Sequence, residues 1–132
     1  MCIFCDIIDH KIPSAVVYED DDVLAILNVP QRLCGHTLVM PKKHMANILE
    51  ADEETVVKCM KVARQLAGTI VAKTGAAGCN ILNNCGAAAG QSVDHLHFHI
   101  IPRFDEADPV TIDFQPAPEL DLDAVMKVLK AE

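Results

Sequence analysis

The 132-residue sequence contains no tryptophan, one tyrosine and four phenylalanines. That leaves few platforms on which bases of single-stranded nucleic acid could stack. Positive charge is also scarce: eleven Lys and Arg stand against nineteen Asp and Glu, for a formal net charge of −8. No basic run exceeds Lys42-Lys43, so the patch that a phosphate-backbone binder needs is missing and no nucleic-acid partner is expected. No apolar stretch approaches the roughly 18 residues of a membrane span. No basic segment followed by an apolar one opens the chain either, and the expectation is a cytoplasmic protein with no membrane partner. Repeats, low-complexity tracts and linkers are absent. At roughly 100–200 residues per domain, the length fits one domain.

What is present is mostly apolar. Hydrophobic residues make up 51% and charged residues 23%, the composition of a chain with a folded core. Six cysteines could staple a small secreted protein. A core of this size folds without staples, so free or metal-bound thiols are the expected state. Cys59 and Cys79 read as core, and Cys85 as a thiol in a loop of small residues.

Residues 15–19 and 23–29 are rich in β-formers and flank the acidic turn 20–22, which predicts a hairpin. Residues 36–40 predict a third strand closed by Pro41. Asp52-Glu53-Glu54 opens a long stretch of helical periodicity that Gly75 ends, with acids at the positive end of the helix. A short strand at 80–83, a small-residue loop at 85–90 and an alternating segment at 94–101 follow. The tail is loop-like through Pro118 and weakly helical over 121–130. The expected fold is α+β: a mostly antiparallel sheet with one long helix and short flanking helices.

The strongest signal is His95-Leu96-His97-Phe98-His99-Ile100-Ile101. In extended chain, successive side chains alternate faces, so the three imidazoles share one face and Leu96, Phe98 and Ile100 the other. A solvated face would be served as well by Ser or Thr. Three imidazoles could hold a catalytic zinc, or one could act as a nucleophile steadied by its neighbours. Directly before them runs Asn84-Cys85-Gly86-Ala87-Ala88-Ala89-Gly90-Gln91-Ser92. A loop of this kind exposes backbone N–H groups, which hold phosphate oxygens. The juxtaposition points to phosphorus chemistry.

The stretch from Asn84 to Pro102 resembles the signature of the histidine triad nucleotide-binding proteins, in their zinc-containing bacterial type. Cys2-Ile3-Phe4-Cys5, Ile12-Pro13-Ser14, Tyr18-Glu19-Asp20 and the run from Gly35 to His44 match in the same order. The resemblance covers residues 1–103, the expected domain; residues 104–132 read as an extension of it that carries no motif.

Such proteins transfer or hydrolyse nucleoside monophosphate groups. The resemblance implies that His97 attacks the α-phosphorus, with its other nitrogen donating to the His95 carbonyl. His99 would bind a phosphate oxygen or the leaving group. Ser92 and the amides of Gly90–Ser92 would stabilise phosphoryl charge, with Asn84 and Gln91 completing those contacts. Ile3, Phe4, Ile7 and Ile26 would form an apolar slot for a purine.

Asn28, with Val29 beside it, stands where the family usually carries an Asp that grips the ribose hydroxyls. An amide keeps one acceptor and replaces the other with a donor. Cys2-x-x-Cys5 has the spacing of half a zinc site. The resemblance implies that His44 and His95 complete it as a structural zinc. A homodimer paired through the long helix and an adjacent strand is also implied. Two rival functions share these residues: a nucleotide-binding module with little turnover, and a zinc hydrolase using His95, His97 and His99 as ligands. His10 and His36 are expected to be structural or solvated.

Overall fold

The computed structural model describes residues 2–131; Met1 and Glu132, the outer ends of the two expected segments, lie outside it. Strands β1 (Val16–Glu19), β2 (Val23–Leu27), β3 (Thr37–Pro41), β4 (Gly78–Leu82) and β5 (Phe98–Arg103) form one five-stranded sheet in the order β1-β2-β3-β5-β4. Every neighbouring pair is antiparallel. Helix α1 (Ile3–Ile8) precedes the sheet, α2 (Glu53–Thr74) crosses from β3 to β4, and α3 (Leu122–Lys130) ends the chain. The expected α+β architecture is the observed one.

The sheet separates two cores. On one face, Val23, Ala25, Val39, Leu96, Phe98 and Ile100 pack against Cys59, Val62, Ala63 and Ala67 of α2. On the other, Leu24, Ile26, Leu38 and Met40 pack against Phe4 and Ile7 of α1. The alternation along β2 and β3 therefore feeds both cores, which is why both strands read as continuous apolar runs. Helix α2 starts where Asp52 accepts from the Thr55 N–H and stops at Gly75 in the left-handed conformation, within a residue of the predicted bounds.

The segment expected to alternate over 94–101 is strand only in part. Residues 94–97 lie outside the ladder, which begins at Phe98 and runs through Pro102 to Arg103. Leu96 N–H instead donates to the Met45 carbonyl at 2.8 Å. Pro41, expected to close β3, is its last residue, opposite Val23. Helix α1, which no apolar period announces in six residues, is nucleated by its cap: the Cys2 sulfur accepts from the Cys5 N–H.

Candidate active site

The two chain faces at residues 95–100 differ as the alternation requires. Leu96, Phe98 and Ile100 enter the α2 core, and the histidines point the other way, towards α1. Two of the three are buried and His99 is half-buried. His95 and His97 are 0% and 5% exposed. The Phe4 ring stands edge-on to the His97 ring, 5.0 Å between centroids, and to His95 at 5.9 Å. Phe4 therefore wedges the row in place as well as lining the cleft beside it.

At one end of the row lies a cluster of four ligand-type side chains. Cys2, Cys5, His44 and His95 bring one ligand atom each to within 4.8 Å of one another. Cys2 Sγ is 3.4 Å and Cys5 Sγ 3.6 Å from His95 Nδ1, Cys5 Sγ is 3.3 Å from His44 Nδ1, and the two Nδ1 atoms are 3.2 Å apart. Tetrahedral zinc with ordinary bond lengths puts two ligand nitrogens about 3.3 Å apart and a sulfur–nitrogen pair about 3.6 Å apart. The cluster fits that pattern. His95 Nε2 donates to the Pro41 carbonyl at 2.8 Å, which leaves Nδ1 as the lone pair facing the thiols. Burial, then the neighbouring Cys2 thiol, push the Cys5 thiol up to about 11. A divalent cation is what would hold both sulfurs ionised.

Beyond it, His97 Nδ1 donates to the His95 carbonyl at 2.7 Å. Its Nε2 therefore carries the lone pair. Burial holds the His97 pKa below its ordinary value, partly offset by that hydrogen bond, so the ring is neutral near pH 7. The His97 carbonyl lies just past the end of the ladder and is satisfied by Asn83 Nδ2 at 2.9 Å.

His99 Nδ1 lies 3.0 Å from His36 Nε2. Burial, followed by His97 and His36, brings the His99 pKa down to about 4. His36, expected to be structural or solvated, is buried and joins the row. The three predicted histidines do not converge on one metal. The Nδ1 atoms of His95, His97 and His99 face a thiol pair, a carbonyl and another imidazole respectively, and His95 Nε2 is held by Pro41. Zinc ligation by all three is thereby corrected.

His97 and His99 open on a cleft of about 420 Å³, ample for a nucleotide-sized ligand. Ile3, Phe4, Ile7 and Ile26 form its apolar wall, with Leu38 and Val93. Asn28 and Val29 stand at one rim, and Ser92 reaches the cleft beside the histidines. The predicted slot residues are thus brought together, and Phe4, Ile7 and Ile26 serve as core besides.

Three predicted site residues of the preceding loop, Asn84, Gly90 and Gln91, stand outside the cleft lining. Gln91 Nε2 donates to Ala46 O at 2.7 Å and Val93 O at 2.9 Å, while its Oε1 accepts from Gly86 N–H. Its amide is spent holding the loop. Gly90 N–H donates to Ala87 O and Gln91 N–H to Gly86 O, so of the three expected amides only that of Ser92 makes no hydrogen bond among the described residues. The short 3₁₀ turn Ala87–Ala89 is flanked by Gly86 at φ 88° and Gly90 at φ 92°. Both need the conformational freedom of glycine.

The chain belongs to the HIT family: the model described as HIT domain matches residues 9–106. An uncharacterised HIT-like protein of Methanocaldococcus jannaschii is 45% identical over 130 residues, 98% of this chain and 99% of that one. An adenosine 5′-monophosphoramidase of Saccharomyces cerevisiae is 37% identical, over 98% of this chain and 78% of its own length. Among solved structures, a HIT family protein from Bacillus anthracis superposes with a TM-score of 0.90 at 39% identity, covering 97% of this chain and 92% of that one. A zinc-bound histidine triad protein from Mycobacterium smegmatis gives 0.78 at 35% identity, over 88% and 84%. Among the described residues no helix is long and apolar enough to cross a membrane.

Proposed function

We propose that this protein hydrolyses or transfers the nucleotidyl group of purine nucleoside phosphoramidates or related conjugates through a nucleotidyl-His97 intermediate. One observation carries the reading: a buried, neutral imidazole whose Nδ1 is committed to a carbonyl lines a nucleotide-sized cleft. The yeast relative's name supports the substrate class.

His97 Nε2 attacks phosphorus, the P–N bond to the leaving amine breaks, and the amine takes its proton from water. Water then attacks the phosphorus, giving its proton to the hydroxide left by the first step, and the P–Nε2 bond breaks. Nε2 recovers its lone pair and a nucleoside monophosphate leaves. The His95 carbonyl steadies the imidazolium that forms at the intermediate, because its hydrogen bond becomes charge-assisted. Ser92 and the His99 ring bind phosphoryl oxygens, a preorganised role. Gln91, Asn84 and Gly90 shape the loop that presents Ser92. The purine lies between Ile3, Phe4, Ile7 and Ile26, with the sugar towards Asn28 and Val29.

Cys2, Cys5, His44 and His95 hold a structural zinc, supported by the ligand-atom spacing and by the zinc-bound relative. It would pin α1, and with it Phe4, against the histidine row. The chain works as a cytoplasmic homodimer. Supporting that are the free edge of β4 with Ile81 exposed and the exposed Val57 and Met60 of α2. Residues 1–103 are the catalytic domain and 104–132 its extension.

Release of nucleoside monophosphate from adenosine 5′-phosphoramidate, followed by chromatography, tests the activity. Multiple turnovers per chain are expected. Tight binding of the monophosphate without turnover would make the protein a binding module.

A further inference from the structure

His97 lies just outside the sheet ladder. Strand β5 begins at Phe98, and its pairing with β4 ends where Leu82 meets His99. Individual hydrogen bonds position residues 95–97 instead, and they come from two sides. Residues 41–45 grip the first two: His95 Nε2 donates to Pro41 O and Leu96 N–H to Met45 O, each at 2.8 Å. From the opposite side Asn83, the first residue after β4, donates through Nδ2 to the His97 carbonyl at 2.9 Å. Among the described residues no other side chain bonds the His97 main chain.

The partner fixes the direction of this bond. A carbonyl oxygen only accepts, so the amide nitrogen must face it; Oδ1 in that place would set oxygen against oxygen. The next residue turns away. A Cβ on Gly90 would lie 3.7 Å from Asn84 Nδ2, so the Asn84 amide belongs to the small-residue loop. The two asparagines part at the foot of that loop, one towards it and one towards His97. Asn83 is half-buried and does not line the cleft.

The His97 ring depends on both grips. Its Nδ1 reaches back two residues to His95 O at 2.7 Å, which requires one orientation of the intervening peptides. Residues 41–45 hold the accepting end and Asn83 the donating end. Without Asn83 the His97 carbonyl loses its side-chain partner, and its peptide is freer to rotate.

We propose that Asn83 is a positioning residue: its amide holds the His97 main chain from the β4 side, so that the ring keeps Nδ1 on the His95 carbonyl and Nε2 at the cleft. Attack by that Nε2 on phosphorus rests on the function proposed above; the orienting of the ring does not. A reacting atom misplaced by about 1 Å can cost about 10²-fold in rate, so one main-chain bond is enough to matter.

Asn83→Leu keeps the size, removes the donor and keeps a replacement water out. Asn83→Gln keeps a donor on a longer arm. Long-range ¹H–¹⁵N correlation spectra of histidine-labelled, substrate-free protein at about pH 8, above the ordinary histidine range, read the ring directly. Wild type and Asn83→Gln should show His97 as Nδ1–H alone, and Asn83→Leu a mixture of Nδ1–H and Nε2–H. With adenosine 5′-phosphoramidate, Asn83→Leu should lower kcat by at least about tenfold, and Asn83→Gln should recover most of it. KM should stay within about twofold, because Asn83 makes no cleft contact. Loosening of the fold alone would lower the thermal midpoint without mixing the tautomers or splitting kcat from KM. Should Asn83→Leu not fold, Asn83→Ala takes its place in both measurements. Nδ1–H alone in the folded variant that lacks the donor, or an unchanged kcat in it, would overturn the proposal. Mixed tautomers in that variant beside a wild type that never turns over would uphold Asn83 and remove the function instead.

Discussion

The two ends of the histidine row use the same side chain in opposite ways. At the metal end, His95 spends Nε2 on the Pro41 carbonyl and turns Nδ1 to the thiols. At the cleft end, His97 spends Nδ1 on the His95 carbonyl and keeps Nε2 for the cleft. The spacing is identical and the burial nearly so. What differs is which nitrogen meets a backbone carbonyl, and that choice leaves one imidazole with a lone pair facing the thiols and the next with a lone pair for the cleft. The imidazole is chemically symmetrical enough to serve either purpose, and its neighbours decide. The ends are also linked, since the His95 carbonyl that orients His97 belongs to the residue at the metal cluster.

The comparison breaks most sharply at His97. His97→Ala should lower turnover of a nucleoside phosphoramidate by about 10³-fold or more while leaving monophosphate affinity within about tenfold, because attack and binding are separable. Steady-state kinetics and calorimetric titration measure the two. Turnover near that of the wild type would remove His97 from the chemistry.

At the metal end the expected loss is stability. The protein should carry about one zinc per chain with two sulfur and two nitrogen ligands, by elemental analysis and X-ray absorption. Cys5→Ser should abolish that and destabilise the fold by about 3 kcal/mol, less than in zinc fingers because two apolar cores remain. A thermal midpoint lowered by roughly 10 °C is the corresponding readout. Unchanged zinc content in the variant would contradict the ligand set.

Acid sharpens the contrast in a third way. The folded His99 is neutral down to about pH 4, whereas an unfolded histidine titrates near its ordinary value of 6.5. Between those values the unfolded state binds more protons, so stability falls as pH falls and is regained as pH rises. His99 should contribute a loss of order 3 kcal/mol across that window. The difference between wild type and His99→Gln in denaturant titrations from pH 7 to 4 isolates it from protonation of the metal ligands. Parallel curves would mean the ring is not held neutral.

The smallest effect is expected in the loop between the ends. Gln91→Ala removes three hydrogen bonds to backbone but no cleft contact. It should loosen Ser92, lowering kcat by about tenfold with stability reduced by about 1–2 kcal/mol. A loss as large as that of His97→Ala would mean that Gln91 touches substrate.

Much of this was legible in the chain. The caps Asp52 and Gly75 bound α2, and alternation placed Leu96, Phe98 and Ile100 in one core and the imidazoles opposite. Other features depend on contacts between distant residues. His36 looks like an isolated histidine until β3 and β5 pair Leu38 with His99, which brings rings 63 positions apart together. Helix α1 is too short for a period and exists because Cys2 caps it and Phe4 and Ile7 find a core. Gln91 read as a phosphate donor because sequence shows donors without showing what they already hold.

The tail is the reverse case. Its helix was legible, yet Phe114, Leu120, Leu122 and Leu129 are exposed, and Phe114 is 94% so. Arg103 ties only its start, through Asp108 and the Val110 carbonyl.

The account rests on a covalent bond between phosphorus and His97 Nε2. Rapid mixing with adenosine 5′-phosphoramidate, an alkaline quench that preserves P–N bonds, and peptide mass analysis would look for it. The account predicts a nucleoside monophosphate adduct on His97 that forms and decays within a turnover and is missing from His97→Ala. Turnover with no adduct at any time, or an adduct on His99, would contradict it.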